Sequence, residues 1–523
     1  MSSILLYFLR MVCRGRYQEF SNALEDPVLY QERSLKRILS KATKTEYGKQ
    51  FQLAKSDGIE EFQSKLPIVE YADIEAQINA QARHDLQQLC PGTIRYFEKT
   101  SGSSGKKKLI PYNKAILDDF GALFKIWVFD VLKFGPKLEK AKIWYSVSPQ
   151  LAHTDEEVSS LSLGLEDDSQ YLSGFLRPLI KTFLAVDPRI QRVTDPHDYF
   201  LILACSLICC ENLEIISIWN PSFFLEVMRF AEKNREAVLN TLKKGSCRWR
   251  DLEFAVENKR QHKLFSAEAS WSKIWPHLKI ISCWDSASAG MSASPLKEIF
   301  PHTLVQGKGL LATEAGMTIP ITKAEGALPF LTGCFFEFES EGDQTIHLVN
   351  ELKEGETYQI IFSQSAGLLR YRTMDRVRVS HYYKKTPVLD FIGRAGDLCD
   401  LVGEKLHVDN VKKALTDLGY HDDFIVVPSF AGGKASYLTL VASSDINLDN
   451  LDEKLQSLHH YRLARRLGQL ASMTTRKEKR LREKYIDFCV EYKKTKRGDI
   501  KSSQIIKKVD EADGFLLFLK EEN

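Results

Sequence analysis

Thr100-Ser101-Gly102-Ser103-Ser104-Gly105-Lys106-Lys107-Lys108 decides the reading of this chain. The stretch leaves an extended segment, Tyr96–Thr100, and returns to an apolar one, Leu109-Ile110-Pro111, instead of running on into polar sequence as a Ser/Gly linker would. Glycines let a backbone approach a polyphosphate closely and turn its N–H groups toward the oxygens. Hydroxyls add donors, and a lysine at the loop's end balances phosphate charge. The spacing is not G-x-x-x-x-G-K-[ST], so this is no Walker loop.

Outward from the loop, the chain alternates helical and strand-like stretches. Upstream, Leu35, Ile38, Leu39 and Ala42 fall at helical spacing, and Pro67 separates them from a second helical stretch around Ile74–Ile78. Downstream, Ile143–Val147, Ile215–Trp219 and Leu278–Trp284 read as short buried strands among helices, which argues for an α/β fold. The last of these leads into a small-residue turn, Ser286–Gly290. After Phe330 the strand candidates crowd together (Phe335–Glu339, Thr345–Val349, Tyr358–Phe362, Arg376–Ser380), as in antiparallel pairing or a small barrel. Past Gly393 the texture changes again. Phe424–Val427 and Tyr437–Val441 read as strands and Leu448, Leu451, Leu455 and Leu458 as a helical stripe, so a separate small α+β domain is expected. Arg476–Lys484 reads as a solvated helix face.

Composition narrows the function classes. In 523 residues, 72 Lys and Arg balance 69 Asp and Glu, which gives no electrostatic reason to expect nucleic acid as partner. Ten scattered cysteines form no C-x-x-C pair, which argues against a zinc or disulfide framework and for a reducing, cytoplasmic setting. No run approaches the ~20 apolar residues of a membrane span, and Ile4–Leu9 lacks the cleavage site of a signal peptide. Beside Arg10, Arg14 and Arg16, that short apolar run leaves an interfacial anchor open. Oligomeric state is not legible.

The loop resembles the Thr-Ser-Gly-Ser/Thr-Thr/Ser-Gly-x-x-Lys phosphate loop of the acyl-adenylate-forming superfamily, which includes acyl-CoA synthetases, adenylation domains and luciferases. Three later elements keep that superfamily's order. Leu311-Ala312-Thr313-Glu314-Ala315-Gly316 resembles Tyr-Gly-x-Thr-Glu, without the aromatic residue that stacks near adenine. Tyr371-Arg372-Thr373-Met374-Asp375 resembles Tyr-Arg-Thr-Gly-Asp, with Met374 in place of glycine. Phe391-Ile392-Gly393-Arg394-Ala395-Gly396-Asp397, continuing to Gly403-Glu404-Lys405, resembles the superfamily's hinge.

Longer features resemble the plant-type, auxin-responsive acyl acid amido synthetases. They are Thr45-Glu46-Tyr47-Gly48-Lys49, Leu66-Pro67-Ile68-Val69, and Trp275-Pro276 through to Ala289-Gly290-Met291-Ser292. The resemblance implies a large N-terminal adenylation domain, residues 1–396, with helix-flanked sheets and a small barrel-like part. A small mobile α+β lid, residues 397–523, would follow. It implies ATP and Mg²⁺, with ATP held by Thr100, Ser101, Gly102, Ser103, Ser104, Gly105, Lys108, Ala289, Gly290, Met291, Thr313, Asp375 and Arg394, and the metal by Glu314. Lys108, Thr313 and a C-terminal lysine would serve catalysis. Gly498-Asp499-Ile500-Lys501 fits the last best, with Lys496 in reserve. The implied reaction joins a small carboxylic acid, through its AMP ester, to an amino acid. A thioester with CoA and an inactive binding homologue are the alternatives. Neither the acid, the acceptor nor the general base is legible.

Overall fold

The computed structural model describes residues 2–84, 87–100, 108–140, 142–145, 183–219, 221–286, 288–341, 343–394, 398–399, 401, 404, 406–429, 435–442, 447–466, 470–495, 497, 500 and 503–521. The chain divides into two compact units. The first is Met1–Ser286 with Ser292–Ile392, and the second is Ala287–Met291 with Gly393–Asn523.

The first unit opens with helices α1 (Ser2–Ala23), α2 (Pro27–Ala42), α3 (Glu46–Gln50), α4 (Ile59–Lys65) and α5 (Tyr71–His84). Asp26 caps α2 ahead of Pro27, and the predicted stripe Leu35, Ile38, Leu39 and Ala42 is buried. The same helix buries two polar residues, and both are satisfied. Gln31 donates to the Cys334 carbonyl at 2.8 Å and accepts from the Phe336 N–H at 2.7 Å, while Ser34 donates to the Leu331 carbonyl at 2.7 Å.

Strands β1 (Ile94–Thr100) and β2 (Lys108–Asn113) form an antiparallel hairpin in which Thr100 stands opposite Lys108. Asn113 then caps α6 (Lys114–Phe134), accepting from the Ala115 and Ile116 N–H groups at 2.9 and 3.1 Å. One continuous rigid run therefore leads from the glycine-serine loop into a 21-residue helix.

Next comes a parallel sheet, begun by β3 (Lys142–Tyr145) and β4 (Leu213–Ser217). A hairpin of β5 (Ser246–Trp249) and β6 (Leu252–Ala255) intervenes before β7 (Ile280–Cys283) and β8 (Leu304–Gly307) complete the order β3-β4-β7-β8. Both faces are covered, as parallel sheets require. Ile215 and Ile280 join the core that includes α6, whereas Leu213, Ile216, Ile281 and Cys283 join a second core with helices Pro196–Cys209 and Pro221–Lys233.

A two-stranded pair, β9 (Thr318–Ile321) and β10 (Gly326–Pro329), precedes an antiparallel sheet of β11 (Phe335–Ser340), β12 (Ile346–His347), β13 (Thr357–Ser363), β14 (Tyr371–Tyr383) and β15 (Thr386–Arg394). Its order is β12-β11-β13-β14-β15, so antiparallel pairing is the arrangement these crowded strands take. Arg370, just ahead of β14, anchors the sheet. It is buried, pairs with the buried Glu337 of β11 through Nη2 at 2.8 Å and Nε at 3.0 Å, and donates through Nη1 to the Gln63 and Leu66 carbonyls at 2.9 and 2.6 Å. Gln63 Nε2 also reaches Glu337 Oε1, at 2.8 Å.

In the second unit β16 (Leu398–Cys399) pairs with β17 (Leu406–His407). Strand β18 (Phe424–Ser429) runs antiparallel to β19 (Ser436–Val441), which is parallel to β20 (Thr474–Lys477). Alternation along β18 sends Phe424 and Val426 into one core and Ile425 and Val427 into another, the latter closed by helices Leu481–Glu491 and Val509–Glu521.

Three sequence expectations are corrected. Arg476–Lys484 is not one helix face: Arg476 lies in β20, and the helix begins at Leu481. The run looked solvated because it is basic with Glu478 and Glu483 interspersed. In the fold Glu478 is buried and takes Lys484 at 2.8 Å and Arg476 at 3.5 Å. The leucine stripe Leu448–Leu458 contributes only a five-residue helix, Leu451–Leu455, whose two leucines are buried. The small-residue turn after β7 gives way to helix at Ser288, so Ala289, Gly290 and Met291 stand in the first turn of helix Ser288–Ile299 and not in a loop. Ala293, Leu296 and Phe300 bury the far part of that stretch and hold it helical despite Pro295.

Candidate active site

Ser101, Gly102, Ser103, Ser104 and Gly105 lie outside the described residues, as do Lys496 and Lys501. What the structure describes is the frame on either side of the loop. Thr100 ends β1 and Lys108 begins β2. The Lys108 ammonium lies 5.4 Å from the centre of the Tyr71 ring, and Tyr71 Oη accepts from the Leu109 N–H at 2.8 Å. The α5 tyrosine thus fixes both the backbone and the cation at the loop's exit. Its own hydroxyl is pushed above the ordinary tyrosine range by burial.

Tyr112, four residues along β2, donates to the Thr313 carbonyl at 2.7 Å. The predicted phosphate-contacting Thr313 and metal-binding Glu314 are thereby tied to the strand that leaves the loop, across 201 residues of sequence. Gln364, at the end of β13, donates to the Glu314 carbonyl at 3.4 Å. The segment around them is a tight irregular loop: Ala312 N–H reaches the Ala315 carbonyl at 3.0 Å, and Leu310 N–H reaches Thr318 Oγ1 at 2.6 Å. Gly309 begins this loop at φ +67°, where a Cβ would also stand 2.5 Å from Thr318 Oγ1. Thr313 is half-buried and Glu314 buried, and among the described residues no cation pairs with the Glu314 carboxylate.

Asp375 is buried in a bulge of β14. Gln359 faces Arg376 and Ile361 faces Arg372, so Ile360 alone opposes Thr373, Met374 and Asp375. Thr373 fastens the bulge, donating to the Ile360 carbonyl at 3.2 Å and accepting from the Asp375 N–H at 3.1 Å. Met374, at the usual glycine position, adopts φ +65° with its side chain exposed. The Gln359 amide donates to its sulfur at 3.1 Å. The departure from the motif therefore keeps the glycine backbone and loads it with a side chain. Arg394 is the last residue of β15.

One residue escaped the sequence reading. Lys308 follows β8 at the carboxyl edge of the parallel sheet, the edge at which open α/β sheets receive ligands. Its Nζ lies 2.7 Å from Ser217 Oγ and 5.3 Å from the centre of the Trp219 ring, and Trp219 packs on Trp284 at 5.6 Å. The ladder continues past the strand ends to hold these residues, with Trp284 N–H on the Trp219 carbonyl at 2.8 Å and Lys308 N–H on the Cys283 carbonyl at 3.0 Å. Asp285 presses on Gly307, where a Cβ would stand 2.3 Å from its carboxylate. No carboxylate among the described residues pairs with Lys308, and desolvation lowers its pKa to about 8. The only sequence signal is a lysine between two glycines directly after an apolar strand.

Comparison with known proteins agrees with this frame. Residues 16–305 match the GH3 family N-terminal domain and residues 327–394 the GH3 family central domain. Similar proteins include the indole-3-acetic acid-amido synthetase GH3.4 of Arabidopsis thaliana, 23% identical over 427 residues that cover 75% of this chain and 71% of that one. The jasmonoyl–L-amino acid synthetase JAR6 of Nicotiana attenuata is 22% identical over 458 residues, covering 76% of each chain. Among solved structures, the AtGH3.15 acyl acid amido synthetase in complex with 2,4-DB superposes with a TM-score of 0.81 at 19% identity, over 98% of this chain and 96% of that one. The α/β fold is that of this structure, and the chain belongs to the GH3 family.

Proposed function

We propose that the protein is an ATP-dependent, AMP-forming acyl acid amido synthetase. In the first half-reaction the carboxylate oxygen of a small organic acid attacks the α-phosphorus of ATP, and pyrophosphate leaves. In the second, an amine, in this reading an amino acid's, attacks the acyl carbon. AMP departs with the C–O bonding pair, an amide forms, and one proton is released.

The observation that carries this reading is the tie from β2 to Thr313 through Tyr112, with Glu314 held in turn by Gln364. Together with membership of the GH3 family, it supports treating the loop exit and the Thr313–Glu314 segment as one site. Lys108 would neutralise phosphate charge, Thr313 would donate to the α-phosphate, Asp375 would accept both ribose hydroxyls, and Arg394 would contact the ribose or phosphate. Preorganised donors and cations of this kind stabilise the charge that develops at a transferring phosphoryl group. Glu314 fits Mg²⁺, because its carboxylate has no cation partner among the described residues. Mg²⁺ takes one or two carboxylates and completes its shell with phosphate oxygens and water. When bound, it would neutralise phosphate charge. Lys501 would serve the first half-reaction from the C-terminal domain, residues 397–523.

The test is acid-dependent exchange of labelled pyrophosphate into ATP over a library of aromatic and fatty acids, followed by product analysis with amino acids and with CoA. Exchange with an amide product supports the reading. A thioester product or stoichiometric ADP overturns it. Asp375→Asn keeps the side chain's shape and removes its charge. Each hydrogen bond to a charged group is worth about 1.5–3 kcal/mol, so exchange should fall by about a hundredfold with the melting temperature held. Unchanged exchange would remove Asp375 from the site.

A further inference from the structure

Lys308 follows β8, yet its ammonium is hydrogen-bonded to Ser217 at the end of β4. The side chain therefore lies across the end of β7, the strand between them. Side chains alternate along a strand, and Ser217 stands two residues beyond Ile215, which packs in the core that includes α6. Gln306, two residues before Lys308, accepts from Trp127 Nε1 of α6 at 2.9 Å. The Thr313–Glu314 loop meets the same helix, since a Cβ on Gly316 would stand 2.5 Å from Leu123. The ammonium, this loop and the helix to which the glycine-serine loop leads thus gather on one face of the parallel sheet. Of the three donors of an ammonium, one is spent on Ser217, and the Trp219 ring lies 5.3 Å away. Asp285, over Gly307, takes the Ser286 hydroxyl at 3.0 Å and forms no ion pair with Lys308 among the described residues. Ser217 accepts from Lys308 and keeps its own O–H to donate.

We propose that Lys308 and Ser217 hold the carboxylate of the organic acid to be activated, an inference that rests on the adenylating reading above. Ammonium and hydroxyl together offer a donor to each carboxylate oxygen. The indoles of Trp219 and Trp284 beside them suit the acid's apolar body. Desolvation lowers the lysine's pKa to about 8, and a bound anion restores the stabilisation lost with water. The triphosphate of ATP fits less well. Its several charges suit the N–H groups of a glycine loop and Mg²⁺. An amino acid also fits less well, because its amine would stand beside a second ammonium. Once the carboxylate is joined to AMP its charge is gone, so this seat serves the first half-reaction and not the second.

The test is calorimetry on the full chain with phenylacetate and hexanoate, an aromatic and an alkyl probe, against their neutral amides. At least one acid should bind about tenfold or more tighter than its amide, and Lys308→Met should cancel that preference. In pyrophosphate exchange with the acid that binds, Lys308→Met should raise the acid's KM about tenfold to a hundredfold. Ser217→Ala should raise it about twofold to tenfold. The KM for ATP and the rate of amide formation from supplied acyl-AMP should be unchanged in both. If Lys308→Met fails to fold, Lys308→Gln replaces it with the same expected loss. If no acid supports exchange, the adenylating reading fails and the calorimetry alone decides the seat. Wild type without a preference for either acid over its amide overturns the proposal. So does exchange with an unchanged acid KM, a loss shared by both half-reactions, or a rise in the amino acid's KM alone.

Discussion

The first unit holds two largely covered cations, Arg370 and Lys308, and provisions them in opposite ways. Arg370 has a bidentate carboxylate and two backbone carbonyls, so its fork of donors is filled at each side. Lys308 has one hydroxyl and the face of an indole, and its pKa drops to about 8. A guanidinium satisfied by its own chain joins the antiparallel sheet to α4 and the loop after it. An ammonium at the carboxyl edge of the parallel sheet is left with one hydroxyl partner and spare donors. Burial alone therefore does not tell how a cation is provisioned; the number of donors left over does.

The contrast breaks first at Arg370. Arg370→Met strands the buried Glu337 and two carbonyls, and should destabilise by about 3–5 kcal/mol, read as a lower denaturation midpoint with unchanged slope. A loss under 1 kcal/mol would mean that the pair is dispensable and the comparison false.

Lys308→Met should do the reverse near neutral pH, because it removes a desolvated charge. The folded-state pKa of about 8 lies below the unfolded value of about 10.4. Between those values the unfolded chain binds more protons, so wild-type stability rises with pH. Below pH 8 the full penalty is present, and above about 10.4 it is gone. The melting difference between variant and wild type should favour the variant by on the order of 2 kcal/mol at pH 7 and close by pH 10.5. A difference independent of pH would show that Lys308 is not desolvated. If the spare donors serve a substrate, the same variant raises the KM for an anionic substrate.

The smallest effect sharpens the comparison at Met374, four residues beyond Arg370. A non-glycine residue in the left-handed region costs about 1–2 kcal/mol. Met374→Gly gives back part of that as unfolded-state entropy, so a net gain near 1 kcal/mol, a rise of about 2–4 °C, is expected. No gain would mean that the Gln359 contact to the methionine sulfur offsets the strain.

These positions also mark what the sequence made legible. The loop, the Thr313–Glu314 pair and the Asp375 motif stand out in the sequence as candidates because their residue types are contiguous, and the buried α2 stripe was readable because its period is regular. Tyr112 was not, since nothing in β2 announces a carbonyl 201 residues away. Lys308 was not, since its meaning lies in missing partners, and absence has no local pattern. The hairpin of β5 and β6 was also missed. Its turn places Arg250 at φ +51°, supported by Trp249 beneath the guanidinium at 4.5 Å, where a turn signal would call for glycine or asparagine.

The β14 bulge has an arithmetic consequence. Two surplus residues, not one, stand against Ile360. An even insertion preserves parity: Tyr371 before the bulge and Val377 and Val379 after it all remain buried. An odd one would flip every later side chain in a regular ladder, unless the local bend and twist of a one-residue bulge took it up. Removing both surplus residues would restore the regular ladder without changing which face the later side chains take. Loss of Thr373 and Met374 together would keep a regular ladder with no bulge to display the carboxylate, whereas loss of one alone would leave a one-residue bulge in its place.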